Sequence, residues 1–209
     1  MPAPGSAAGE RLIGVRIGGP VTRRVPWRIA DGPPELGWLA GSMRLTAGQP
    51  VPPVPDPQLV PHLAVVLGEP LTGPGVSPAG ALAAVASVHA AVELSAGDSA
   101  PDGLVDGAAA GRFLVSPAGR PAAGLDLALE ACLVEVAGQV VDSGTGAAAA
   151  AHPAETLAWA AGALDARGLS LEPGWLVLTG PLTAPVPLPP AAPVAVHFTT
   201  LGSLFLPQP

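Results

Sequence analysis

Hydrophobic positions recur along this chain at two spacings, and each spacing predicts a different element. Arg11 to Gly19 (RLIGVRIGG) alternates and then meets glycines, which predicts a strand running into a turn. Pro20 to Met43 keeps no period, carries Trp27 and Trp38, and is expected to be irregular. Gly48 to Pro57 (GQPVPPVPDP) is a proline-rich connector, unable to join a central strand. Leu59 to Gly68 (LVPHLAVVLG) is a strand ended by glycine. Ser77 to Ala90 (SPAGALAAVASVHA) predicts a helix, with Ser77 as N-cap and Pro78 at the first helical position. Ala91 to Leu94 is either its last turn or a new strand.

Gly107 to Ser116 reads as a glycine turn and a strand. Leu125 to Gly146 holds two strands hinged at Ala137–Gly138, a hairpin signal. His152 to Gly168 predicts an amphipathic helix opened by His152 and Pro153, striped by Leu157, Ala161 and Leu164, and closed by Arg167 and Gly168. Gly174 to Gly180 (GWLVLTG) is a buried strand, Pro181 to Pro193 an extended proline-rich loop, and Val194 to Pro207 a hairpin turning near Leu201–Gly202. Short strands with only two clear helices make the class β-rich α+β.

Composition narrows this picture. At 209 residues, with 49% apolar and 12% charged, the chain can bury a sizeable core. One domain over 13–209 is expected behind a flexible tail, 1–12. The net charge of −7 and the lack of a basic stripe argue against nucleic acid. All nine basic residues are arginines, and there is no tyrosine. A lysine Schiff base, a lysine base and a tyrosine acid are therefore excluded. Cys132, the single cysteine, can form no intrachain disulfide and reads as a small buried hydrophobe, as Trp159 and Trp175 read as core. No apolar run reaches membrane length, and the N-terminus lacks a signal-peptide layout, so a cytoplasmic protein without a membrane partner is expected.

The last third carries a run of motifs: TG (Thr145–Gly146), HP (His152–Pro153), an Ala-Trp helix, a strand ending in LTG (Leu178–Gly180), and a closing LG (Leu201–Gly202). In this order they resemble the 2-keto-4-pentenoate hydratase / 2-oxo-3-hexenedioate decarboxylase family of the fumarylacetoacetate hydrolase superfamily. The likeness runs back through DGAAAGRFLVS, VASVHAAVEL, LVPHLAVVLG and IGVRIGG, from about Ile13 to Leu206. It implies a twisted β-roll with a few outer helices. It also implies that a helical segment preceding the first strand in the family is missing. The family's cleft binds Mg²⁺ or Mn²⁺ with the oxo-acid end of a substrate, and the ion stabilises an enolate while a proton moves.

The resemblance places three metal-binding carboxylates of the family at Val60, His62 and Glu93, of which only Glu93 is acidic here. The family lysine falls at Arg16. Asp106 is kept, followed by Gly107, Ala108 and Ala109; Ser95, Ala96 and Gly97 replace a further Asp-Ser-Arg. One carboxylate and one imidazole make a poor Mg²⁺ site. The expectation is a cleft with no metal cofactor, acting on a small oxo acid, enolisable carbonyl or polyene as a lyase, isomerase or cyclase. Glu93, His62 and Arg16 are its catalytic candidates. Thr179, Gly180, Asp106 and His89 are its substrate-binding candidates, with His89 at a helix end and Glu93 on the following strand, the two not obliged to share a face. A tolerated pair of polar residues in a wet cleft is the plain reading of His62 and Glu93, and an ion pair that of Arg16. The alternatives are a conventional metal-dependent hydratase or decarboxylase, with Glu69 or Asp98 supplying carboxylates, or a non-catalytic partner subunit. A homodimer is expected.

Overall fold

The computed structural model describes residues 11–18, 35–50, 56–96, 111–148 and 152–206, and among these eleven strands form two sheets accompanied by two α-helices. The first sheet runs in the order β2 (Glu35–Ala40), β1 (Leu12–Gly18), β8 (Leu176–Thr179), β3 (Pro57–Leu67), β4 (Val85–Ala96), β5 (Arg112–Arg120). The two-residue strand β9 (Val186–Pro187) pairs with the start of β3. The second sheet runs β11 (Gly202–Leu206), β10 (Val194–Phe198), β6 (Ala131–Val136), β7 (Gln139–Thr145), antiparallel throughout. Helices α1 (Pro78–Ala83) and α2 (Pro153–Asp165) complete an α+β arrangement.

Directly opposed residues in neighbouring strands share a face, so the registers sort the first sheet into two sets of side chains. One set includes Val15, Trp38, Leu63, Val65 and Val92. It packs with Val134, Val196 and Leu204 of the second sheet and with Leu157, Ala161 and Leu164 of α2 in the main core. The other set forms a smaller core of Leu39, Ala64, Ala91, Phe113, Val115, Leu176 and Leu178, with Met43. Arg44 follows a single 3-10 turn at Gly41–Met43 and bridges in parallel to Phe113, while the Leu45 N–H donates to the Phe113 carbonyl at 2.7 Å. β2 and β5 are the edges of the sheet, so this contact rolls it closed. The smaller core is the interior of that roll, filled by side chains as in other small barrels.

Three expectations change. The predicted helix from Ser77 to Ala90 stops at Ala83, and β4 begins at Val85. The Ala-rich sequence favours a helix, but the β-branched Val85, Val88 and Val92 sit in a strand paired on both sides, by β3 and β5. Trp38 lies within β2 rather than in an irregular stretch, stacked edge-on against Trp175 with centroids 6.4 Å apart. Trp159 and Trp175 flank the main core, partly buried. Pro61, meanwhile, sits inside a central strand. Its carbonyl accepts from Leu182, on the side where β8 has ended and β9 has not begun. A strand residue's N and C=O point the same way, so the missing N–H falls in that gap.

The hairpin at Ala137–Gly138 forms as expected, with φ of 49° and 78°, the signature of a type I′ turn. His152 caps α2, its Nδ1 accepting from the Ala154 N–H at 3.1 Å. Cys132 is 1% exposed and burial pushes its thiol up to about 12. Residues 1–10 and Trp27 lie outside the described residues.

Candidate functional site

Alternation along β3 and β4 builds the site. Val60 opposes Glu93, and His62 opposes Ala91 one step further along the same face. That face looks into the roll. Arg16 enters from β1, where it opposes Leu178 of β8 and Gly37 of β2. β8 ends at Thr179, and the long Arg16 side chain crosses towards β4. Its Nη1 lies 3.4 Å from Glu93 Oε1, while His62 Nε2 lies 3.3 Å from Glu93 Oε2. Arg16, His62 and Glu93 thus come together from three strands.

Gly37 is part of this arrangement. A Cβ there would stand 2.6 Å from Arg16 Nε and 2.8 Å from its Cγ, so only glycine lets the arginine lie across β2. Sequence reasoning missed Gly37, although a lone glycine inside Leu-Gly-Trp is a known mark of close approach.

Glu93 is 5% exposed and His62 2% exposed, while the Arg16 side chain keeps 22% in solvent. Burial works to raise the Glu93 carboxyl, but His62 and then Arg16 outweigh it and hold the carboxyl below its ordinary value. Glu93 is therefore ionised at neutral pH. The pairing is incomplete. Arg16 Nε and both ring nitrogens of His62 are buried without a hydrogen-bond partner; the His62–Glu93 approach of 3.3 Å is close but not aligned as a hydrogen bond. Among the described residues, no other buried side-chain nitrogen or oxygen is orphaned in this way. A cluster of orphaned groups calls for a partner in the site.

The other expected residues stand apart. His89 is on β4, not at a helix end, and shares the face of Glu93 at about 13 Å, four residues along a strand. Its Nδ1 donates to the Ser116 carbonyl at 2.9 Å and its Nε2 pairs with the Ser87 hydroxyl at 2.8 Å. Both nitrogens are committed, which makes it a structural histidine. Thr179 alternates to the opposite face from Leu178 and donates to the Leu63 carbonyl at 3.1 Å, capping the strand end rather than lining the site. Gly180 turns the chain out of β8 with φ of 46°. Asp106, Gly107, Ala108, Ala109, Gly97 and Asp98 lie outside the described residues. Glu69 is exposed beyond the far end of β3, whose last residue, Leu67, already stands about 16 Å along the strand from His62, so it is not placed to complete a ligand set there. Glu130, a buried carboxylate that the sequence did not flag, is consumed by the Thr200 N–H and hydroxyl and the Leu201 N–H.

Among the described residues, the donor set does not fit the hard divalent cation that the resemblance implies. Mg²⁺ takes several oxygen ligands. Here Glu93 supplies the oxygens, Val60 supplies none, and a guanidinium already stands beside the carboxylate. No group of three His, Cys, Asp or Glu among the described residues could hold a metal ion.

No family model matches the chain. It is 34% identical over 196 residues to a 2-hydroxyhexa-2,4-dienoate hydratase of Comamonas testosteroni, covering 89% of this chain and 73% of that one. It is 31% identical to a 2-keto-4-pentenoate hydratase of Burkholderia vietnamiensis, over 94% of this chain and 78% of that one. Among solved structures, a 4-oxalocrotonate decarboxylase of Pseudomonas putida, complexed with magnesium and adipate, superposes with a TM-score of 0.79 at 26% identity, covering 96% of this chain and 79% of that one. A 5-carboxymethyl-2-hydroxymuconate delta-isomerase of Mycobacterium smegmatis, at 18% identity and a TM-score of 0.74, shares the fold. No helix among the described residues is long and apolar enough to cross a membrane.

Proposed function

The chain belongs to the family of 2-keto-4-pentenoate hydratases and 4-oxalocrotonate decarboxylases, within the fumarylacetoacetate hydrolase superfamily, and from that premise we propose that it moves a proton on an oxo acid or related enolisable carbonyl compound without a divalent cation. The supporting observation is the buried Glu93–His62 pair, 3.3 Å apart. Glu93 Oε2 stands beside the ring that would carry the proton, placed to offset the charge the ring then bears.

The step is a proton shuttle. His62 takes a proton from the carbon next to the carbonyl. The C–H electron pair becomes the C=C of an enolate, and the carbonyl π pair moves onto oxygen. The imidazolium, steadied by Glu93, returns the proton to the same carbon or to a conjugated one. A lyase, isomerase or cyclase outcome depends on where that proton lands and which bond the enolate breaks or forms.

Exchange of substrate hydrogen for solvent deuterium tests this reading. With 2-hydroxypenta-2,4-dienoate in D₂O, NMR is expected to show exchange that persists in EDTA. It should fall by about 10²-fold or more in His62→Gln, in line with the usual contribution of a positioned base. Exchange abolished by EDTA would establish conventional metal-dependent chemistry instead. Exchange unchanged in both His62→Gln and Glu93→Gln would remove the acid/base pair from the mechanism.

A further inference from the structure

We infer that the Arg16 guanidinium is itself the receptor for the substrate's oxygen end: a carboxylate or enolate oxygen binds Arg16 directly, with no cation between them. This rests on the proposed handling of an oxo acid but makes a separate claim about what holds it. Three observations lead there.

The first is access. Of the three site residues Arg16 alone has substantial exposure, 22% against 6% for Glu93 and 2% for His62. The second is chemistry. Arg16 Nε–H is a donor without an acceptor, and both His62 ring nitrogens likewise lack an aligned hydrogen bond. Arginine cannot serve as an acceptor, so its orphaned N–H calls for an oxygen or an anion. Glu93 engages only Nη1, at 3.4 Å, which leaves Nε and the remaining donors of the fork for a second, planar oxygen partner. The third is placement. Gly37 leaves room for the arginine stem to lie flat, and an alanine there would collide with it at 2.6 Å. The arginine is held by the backbone, not merely tolerated at the surface. A fixed cation beside a carboxylate supplies the charge that a bound divalent ion would otherwise supply, with one positive charge in place of two. A site so built takes a monoanionic end better than a chelated dianion.

Pyruvate and oxalate serve as probes of the oxo-acid end. Their affinity is measured by calorimetry and by the shift in melting temperature, in EDTA and again with Mg²⁺ or Mn²⁺. Pyruvate is expected to bind and stabilise the wild-type protein equally with and without metal, and more tightly than oxalate. Arg16→Met should weaken pyruvate by at least about tenfold, the loss of one charge-assisted hydrogen bond. Arg16→Lys, which keeps the charge but loses the fork, should weaken it as well and carries the test should Arg16→Met not fold. Gly37→Ala keeps the charge and displaces the side chain; weaker pyruvate binding there identifies Gly37 as a positioning residue. Binding that requires the metal, or that survives Arg16→Met and Arg16→Lys unchanged, would overturn the inference. Deuterium exchange separates the two claims. Loss of exchange in His62→Gln with pyruvate binding intact supports both. Exchange unaffected by His62→Gln and Glu93→Gln, with Arg16-dependent binding intact, removes only the proton-transfer reading.

Discussion

Glu93 stands between a guanidinium and an imidazole, 3.4 Å and 3.3 Å away. Removing the carboxylate leaves both partners without their counter-charge. Glu93→Ala is therefore expected to cost about 3 kcal/mol in urea denaturation at neutral pH, the low end for a broken buried pair because Arg16 remains partly in water. The pH dependence has a definite sign. A carboxyl held below its ordinary value of 4.5 contributes its full stabilisation above about pH 4.5 and loses it as pH falls through the depressed value. The stability difference between wild type and Glu93→Gln should thus shrink as pH falls through the acid range below 4.5. A difference that grows below pH 4.5 would contradict the direction given for Glu93.

Local signals read best where a backbone turn has one solution. Ala137–Gly138 is such a place. Its two positive φ angles suit Asn-Gly better than Ala-Gly, so Ala137→Asn should stabilise the protein by about 0.5–1 kcal/mol, measured as a shift in the urea midpoint at constant slope. The α2 cap and its Leu157–Ala161–Leu164 stripe were legible for the same reason: they depend on neighbours in sequence. The Ser77–Ala90 segment was not. Ser77 does cap a helix, its side chain accepting from the Gly80 N–H, but pairing of Val85 onwards with β3 and β5 overrides the helical preference of the alanines. This misreading put His89 at a helix end and hid the fact that it shares a face with Glu93. The site was legible only in part. Placing Val60, His62 and Glu93 side by side took the family resemblance, since the register that joins them spans some thirty residues. The lone Gly37 marked a close approach without naming Arg16 as the side chain it cradles, and no local pattern foretold that Thr179 would turn its hydroxyl away.

For the molecule as a whole, the two cores differ in kind. The main core between the sheets is large and continuous, and it encloses Cys132 on β6. A thiol 1% exposed and raised to about 12 is a poor nucleophile in the native state. It is the chain's single cysteine, so it should react with Ellman's reagent only as the molecule unfolds. Its modification rate should follow the denaturation curve obtained by circular dichroism. Rapid modification without denaturant would mean that the second sheet opens separately from the first.

The interior of the roll is smaller, and it depends on the contact of Arg44 and Leu45 with Phe113. A roll closed where its two edges meet has a seam, and a seam is where native fluctuations let water in first. Arg16 is carried by the strand next to one margin of that seam and Glu93 by the strand next to the other. Their ion pair is thus a clasp across the interior as well as a piece of chemical equipment. A molecule bound on the free side of Arg16 would brace that clasp and hold the seam shut, linking occupancy to the breathing of the entire roll.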